Sequence, residues 1–208
     1  MKREEDVFNE LVIFHSLKSE IQEELKKLWN SFSFLRGGEC REHSLEVARI
    51  SVLIGESFAM NREELFFLFI SALFHDIGKV SIDKKVLSKP FKLNEDEYRH
   101  IQKHVQVTFF ILSRIFGSVF PNVARNAFFH HEAVNGKGYP LGLRGSEIPF
   151  ESRIISVADV YDAISKQRSY NTFGSSDMAF WVIRNGQGAK FDFSVCNHFL
   201  SLKGKKII

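Results

Sequence analysis

The sequence predicts an all-α domain. Its apolar residues recur at steps of three and four, no stretch alternates apolar and polar residues as a strand does, and only 4 of its 208 residues are proline. Hydrophobic residues make up 44% of the chain and charged residues 25%, which is an ordinary globular composition. The length fits one domain with an accessory segment. This composition excludes a disordered chain, a collagen-like chain and a pure coiled coil.

An amphipathic helix, or a pair of helices, is predicted at the N-terminus. Ser19 and Gln22 fit a capping box that would split the segment in two. Gly37 and Gly38 then separate it from the rest, so we divide the chain into an N-terminal helical segment, residues 1–35, and a domain of residues 36–208. The segment either packs on the domain or forms a homodimer or signal relay. Its apolar stripe consists of Val7, Leu11, Phe14, Ile21, Leu25 and Leu28.

Capping patterns and prolines mark the helices of the domain. One helix is predicted over residues 41–58, and a capping box of Asn61 and Glu64 begins the next, which reaches about residue 76. Residues 78–93 look irregular, and Asn94 with Glu97 caps a long helix. A helix from Pro121 to residue 130 precedes a loop with four glycines, residues 132–147. Further helices are predicted over residues 149–166, 176–184 and 193–202.

Charge and cysteine content limit the partners and the compartment. Lys and Arg number 28 against 25 Asp and Glu, and this net charge of +3 is too weak to indicate a duplex nucleic acid. The two cysteines, Cys40 and Cys196, form neither a disulfide framework nor a C-x-x-C zinc site. The longest apolar run has ten residues, too few to span a bilayer, and the N-terminus lacks a secretory signal. We therefore expect a cytoplasmic protein with no membrane partner.

Histidines and carboxylates gather at the ends and inward faces of the predicted helices. His75 and Asp76 end a very apolar helix, and a carboxylate buried there needs a compensating cation. His104 shares a side with apolar residues, although His100, one turn earlier, could reach the same face. Taken alone, each histidine suits a packing role. Together they offer imidazole and carboxylate donors without a thiolate, a set that suits divalent iron, manganese or zinc. Their number exceeds the demand of one ion, so we predict two ions bridged by Asp76.

Six residues and segments follow one another along the chain in a specific order. They are His43, His75-Asp76-Ile77-Gly78-Lys79, His104, His130-His131-Glu132, Asn135-Gly136-Lys137-Gly138-Tyr139-Pro140 and Val157-Ala158-Asp159-Val160-Tyr161-Asp162-Ala163. This order resembles the HD superfamily of metal-dependent phosphohydrolases, and the segments are similar to those of the HD-GYP family, whose members hydrolyse the bacterial second messenger cyclic di-GMP. The match covers about residues 36–202 and implies an HD-domain helical bundle with a glycine-rich GYP loop.

The resemblance implies a residue set for a phosphodiesterase that converts cyclic di-GMP to linear pGpG, with GMP as a further product to be tested. A bridging hydroxide would attack at a site of two or three ions, iron or manganese, Glu39 holding the third. The implied catalytic residues are Asp76, Lys79 and Asp162, and the implied metal ligands are Glu39, His43, His75, Asp76, His104, His130, His131 and Asp159. The implied substrate-binding residues are Lys79, Gly136, Tyr139, Pro140 and Arg168.

Departures from the family pattern keep two other hypotheses open. Val105 replaces a usual proline, and neutral Asn171 replaces a cation, which would weaken substrate binding by about 1–2 kcal/mol. Asn135 and Phe193 also depart from the pattern. The chain could be a catalytically weak or inactive cyclic di-GMP sensor that engages a signalling partner protein. Alternatively, it could hydrolyse another cyclic dinucleotide.

Overall fold

The computed structural model describes residues 19–31, 39–89, 91–117, 120–166 and 176–204. Within these ranges every regular element is a helix, and extended residues pair only as two isolated bridges, Asn135 with Arg144 and Gln187 with Phe191. The prediction of an all-α fold is therefore confirmed. A search of the same ranges finds no helix long and apolar enough to cross a membrane.

Ten α-helices and two short 3₁₀ helices follow one another along the described residues. The 3₁₀ helices are Ile77–Ser81 and Gly145–Glu147. The α-helices are α1 Ser19–Ser31, α2 Glu39–Ser57, α3 Arg62–Leu73, α4 Lys84–Leu87, α5 Glu95–Gln102, α6 His104–Phe116, α7 Pro121–Phe128, α8 Phe150–Lys166, α9 Ser176–Asn185 and α10 Phe193–Gly204.

One hydrophobic core joins these helices. Helix α2 packs against α3 and α8, while α6 packs against α7. Helix α1 contributes Leu25, Leu28 and Trp29 to the same core, so this part of the N-terminal stripe is occupied within the chain. The first half of that stripe, residues 7–14, lies outside the described residues, as does the glycine pair of the proposed domain boundary. The division into two segments and the homodimer both stay predictions.

Both predicted capping boxes in the domain are confirmed. The Asn61 side chain accepts from the Glu64 amide while the Glu64 carboxylate accepts from the Asn61 amide, and Asn94 pairs with Glu97 in the same way. The helix predicted after Asn94 is interrupted at Lys103, between α5 and α6. The region predicted as irregular before it contains a 3₁₀ helix and α4.

Helix α6 holds the turn that follows α3. The Gly78 amide donates to the Thr108 hydroxyl over 2.9 Å, and this hydroxyl donates to the His75 carbonyl over 3.1 Å. A Cβ atom at Gly78 would lie 2.0 Å from the His104 carbonyl oxygen, so the two backbones approach as closely as only glycine permits. This contact fixes the segment carrying His75 and Asp76 against the segment carrying His104.

Candidate metal centre

Three buried histidines stand in the same position relative to a helix end. Helices α3, α5 and α7 each end two residues before one of them, at Leu73, Gln102 and Phe128. The Nδ1 atom of each ring donates to the carbonyl three residues earlier, over 2.7 Å for His75, 2.7 Å for His104 and 2.6 Å for His130. The last turn of a helix has carbonyls without intrahelical partners, and these imidazoles use them.

This arrangement sets the chemistry of the other ring nitrogen. A carbonyl only accepts, so each Nδ1 carries a proton and each Nε2 is the nitrogen left to accept a bond or bind a metal ion. The partial negative charge at the C-termini of α3 and α7 also favours a cation between them. The three rings therefore converge with their Nε2 atoms around Asp76.

Asp76 lies at the centre of these rings. Its Oδ1 atom is 3.2 Å from His104 Nε2 and 4.0 Å from His130 Nε2, and its Oδ2 atom is 3.4 Å from His75 Nε2. Across the described residues, Asp76 Oδ1 and the three Nε2 atoms are buried without a hydrogen bond. Burying four such acceptor atoms is costly unless something binds them. Divalent cations would satisfy them, because Asp76, His104 and His130 belong to one donor group and His75 to two others.

His43 and two carboxylates of α8 form the opposite wall. His43 Nδ1 donates to Asp162 Oδ2 over 2.6 Å, and its Nε2 lies 3.2 Å from Asp159 Oδ1. Lys166 pairs with the other oxygen of Asp162 at 3.2 Å. Asp162 therefore lies behind His43, and a carboxylate on the far nitrogen of a histidine orients the ring for a metal.

Burial and neighbouring charges set the protonation of the centre. Burial opposes the charge on Asp76, yet Lys79 and His75 hold the pKa of this carboxyl well below its usual value. Burial lowers the pKa of His130 far below its usual value and that of His131 to about 3. Burial also opposes a charge on His43, but hydrogen bonds to Asp159 and Asp162 raise its pKa to about 9. Metal binding at His43 would therefore displace a proton from this ring.

The donor atoms fit divalent metal ions. They form three overlapping groups, and the atoms of each group lie within 4.8 Å of one another. Asp76 belongs to two groups, as a bridging carboxylate would. Nitrogen and oxygen donors without a thiolate suit iron, manganese or zinc. The groups are Asp76 with His104, His130 and His131; His43 with His75 and Asp76; and His75 with His130 and Asp159.

Glu132 organises the glycine-rich loop next to the centre. This buried side chain follows His131, and its carboxylate accepts from three consecutive amides: Leu141 at 2.7 Å, Gly142 at 3.0 Å and Leu143 at 3.0 Å. A carboxylate forms stronger hydrogen bonds with amides than a neutral acceptor does. Glu132 therefore holds residues 141–143 against the start of the loop.

Two glycines let the loop adopt this shape. A Cβ atom at Gly138 would lie 2.3 Å from the Ala133 amide nitrogen, and Gly136 has a φ of +77°. The Tyr139 amide donates to the His131 carbonyl over 3.2 Å, and the Tyr139 and His131 rings lie 4.7 Å apart. The peptide bond between Tyr139 and Pro140 is cis.

The structure brings most of the sequence-predicted site residues together. Seven of the eight predicted metal ligands lie in the cluster; the eighth, Glu39, begins α2, but its side chain is not among those described. Lys79 pairs with Asp76, and Tyr139 borders His131. His104, and not His100, belongs to a donor group. Arg168 and Asn171 lie outside the described residues.

Sequence reasoning missed the roles of Glu132 and Thr108. In the sequence, Glu132 stands out only as part of the His130-His131-Glu132 motif. Its position just before a glycine-rich loop is the signal that its carboxylate could accept hydrogen bonds from the amides of that loop. Thr108 follows His104 at one helical turn, on the side of the helix that periodicity marks as apolar. Its hydroxyl instead joins two backbones.

Comparison with known proteins agrees with this geometry. A family model described as HD domain matches residues 25–195. A 3′3′-cGAMP-specific phosphodiesterase of Vibrio cholerae is 38% identical over 150 residues, which cover 72% of this chain and 32% of that protein. The cyclic di-GMP phosphodiesterase response regulator RpfG of Xanthomonas campestris is 33% identical over 183 residues, covering 88% of this chain and 48% of that protein.

A solved structure shares the fold. The crystal structure of a cyclic GMP-AMP specific phosphodiesterase of V. cholerae superposes with a TM-score of 0.65 at 23% identity, covering 87% of this chain and 48% of that one. The chain thus spans a third to a half of the length of these relatives.

Proposed function

Because the chain belongs to the HD domain family, we propose that it is a metal-dependent phosphodiesterase that hydrolyses cyclic di-GMP to pGpG, with GMP as a further product. The observation that carries the proposal is the set of buried acceptors around Asp76, which lack hydrogen bonds within the described residues. Relatives named as cyclic dinucleotide phosphodiesterases support the substrate class.

The ligands would hold two ions, with Glu39 available for a third. Iron or manganese suits the imidazole and carboxylate donors. Bound divalent ions would supply an activated water and a clamp for the attacked phosphate. His75, His104 and His130 would bind the ions through their Nε2 atoms, together with the Asp76 carboxylate. Asp162 acts as a positioning residue, because it fixes His43 with Nε2 facing the centre.

Lys79 and the loop would hold the substrate. The Lys79 ammonium pairs with Asp76, so it stands where it can neutralise a phosphate oxygen as charge develops in the transition state. Tyr139 borders the ligand His131, at the edge of the centre. Arg168, Gly136 and Pro140 complete the proposed substrate-binding set.

A second candidate substrate is 3′3′-cGAMP, because a relative specific for it is 38% identical over 150 residues. Hydrolysis rates for the two cyclic dinucleotides, measured side by side, decide between them. The hypothesis of a sensor without turnover rests mainly on Asn171. It gains nothing from Val105, which is fully buried in α6 and leaves His104 in its place.

Replacement of Asp76 by alanine tests the proposal. Asp76→Ala should abolish hydrolysis of cyclic di-GMP together with most of the bound metal. Asp96→Asn, an exposed change on α5, should keep both. Circular dichroism confirms that each variant folds. Hydrolysis that survives in Asp76→Ala would overturn the proposal.

A further inference from the structure

A row of three aromatic rings leads from the metal centre to the solvent. His131 lies among the metal donors, and the Tyr139 ring lies 4.7 Å from it at an interplanar angle of 31°. The Tyr98 ring follows, 6.5 Å from Tyr139 and nearly perpendicular to it at 80°. Tyr98 belongs to α5, whereas the other two belong to the segment after α7. The row therefore joins two elements at the edge of the centre.

Packing does not explain Tyr98. Its side chain is 51% exposed and lies outside the hydrophobic core and the residues packed against it. Its hydroxyl makes no hydrogen bond among the described residues. Covering the exposed half of this ring with an apolar ligand surface would be favourable.

The position of Tyr98 is nevertheless fixed. The Lys89 ammonium reaches both carboxylate oxygens of Glu97, at 2.7 and 2.6 Å, and so ties α5 to the segment before it. One turn beyond Tyr98, the Ile101 carbonyl accepts from the ring of His104. Helix α5 therefore orients a metal ligand and presents the Tyr98 ring at a defined distance from the same centre.

We propose that Tyr98 is a substrate-binding residue that stacks on a purine base of the cyclic dinucleotide, beside Tyr139. This inference rests on the proposed function, which places the reacting phosphate at the metal centre. A base is joined to that phosphate through one ribose, so it must lie just outside the ligand shell, where the aromatic row runs. The two tyrosine rings are nearly perpendicular and do not stack face to face, and the Tyr98 side chain stays half exposed and open to a base. Stacking is tolerant of base identity, so Tyr98 serves guanine and adenine alike.

Replacement of Tyr98 by alanine and by phenylalanine tests the inference. Loss of one base–aromatic stack corresponds to a rise in KM of about 5- to 150-fold. We expect this rise for Tyr98→Ala, equal for cyclic di-GMP and 3′3′-cGAMP, with kcat and metal content unchanged. Tyr98→Phe keeps the ring and should keep the wild-type KM. Trp181→Ala removes a 62% exposed aromatic side chain from α9 and serves as the matched control.

Three results would overturn the inference: an unchanged KM in Tyr98→Ala, an equal loss in Tyr98→Phe, or loss of metal in place of affinity. Failure of the proposed function is separable, because wild-type turnover and metal content are measured first. If the metal-loaded wild type binds cyclic di-GMP without hydrolysing it, the same variants are compared by equilibrium dialysis. Tyr98→Ala must then raise the dissociation constant by the same factor, and an unchanged constant refutes the stacking of Tyr98 on the base.

Discussion

Replacement of Glu132 by glutamine should open the loop that carries Tyr139 without removing any metal ligand. The carboxylate accepts two amides on Oε1 and one on Oε2. In Glu132→Gln an NH₂ group would face one of these N–H donors, and the other two bonds would lose their charge assistance. A hydrogen bond to a charged group contributes about 1.5–3 kcal/mol and a neutral one about 1 kcal/mol. The total loss is therefore about 3 kcal/mol or more.

Hydrogen exchange at the amides of residues 141–143 measures this loss. About 3 kcal/mol corresponds to a fall in protection of about two orders of magnitude. The KM for cyclic di-GMP should rise as the loop loses its shape, while the metal content stays at the wild-type value. Glu147→Gln is the matched control, because Glu147 accepts a single amide, that of Arg144 at 2.7 Å, on the exposed side of the same loop. Unchanged protection at residues 141–143 in Glu132→Gln would refute the role of this carboxylate.

Three further predictions concern the positioning contacts and a helix cap. Asp162→Asn removes the charged acceptor that orients His43 and should lower metal affinity about 10- to 100-fold in a chelator competition; an unchanged affinity would contradict the orienting role. Thr108→Val leaves two buried backbone groups unsatisfied and should cost about 1–3 kcal/mol of unfolding free energy in urea titration, whereas Thr108→Ser should retain most of it. Burial opposes ionisation of Asp192, but the amides it caps and Arg153 lower its pKa. Its contribution is complete above the unfolded-state pKa and is lost as the pH falls through the folded-state pKa, so Asp192→Asn should be less stable than the wild type at neutral pH and approach it in strong acid.

Local sequence signals predicted the helix starts because their chemistry is local. A capping box needs only an acceptor and a carboxylate three residues later, and both Asn61 and Asn94 meet that condition. The all-α class follows from periodicity alone, and the HD-GYP resemblance is confirmed by the family match and the named relatives. The candidate metal ligands could be selected because their order along the chain is specific.

The helix ends next to the candidate ligands were harder to predict. There a histidine ring, and not a backbone amide, donates to a carbonyl of the last turn. The helices predicted to reach residues 76 and 130 end at Leu73 and Phe128, since the rings of His75 and His130 bind carbonyls of the last turn. The same bond from His104 accompanies the break between α5 and α6. Apolar periodicity runs through that break without interruption, so no hydrophobic pattern indicates it.

Contacts between residues far apart in the chain could not be predicted from the sequence either. The role of Glu132 depends on amides nine to eleven residues away, and that of Thr108 on a turn thirty residues earlier. Neither separation matches the period of a helix or a strand, so neither contact produces a recognisable residue pattern. Asp162 lies three residues after Asp159 on α8, but only the fold places it behind His43.

The central claim is that this centre binds at least two divalent ions and uses them to cleave a cyclic dinucleotide. The most direct measurement is anaerobic purification with iron or manganese, a count of metal per chain, and chromatography of the products formed from cyclic di-GMP. We predict two or more ions per chain and the appearance of pGpG, with or without GMP. A chain that is fully loaded with metal and leaves both cyclic di-GMP and 3′3′-cGAMP intact would contradict the claim.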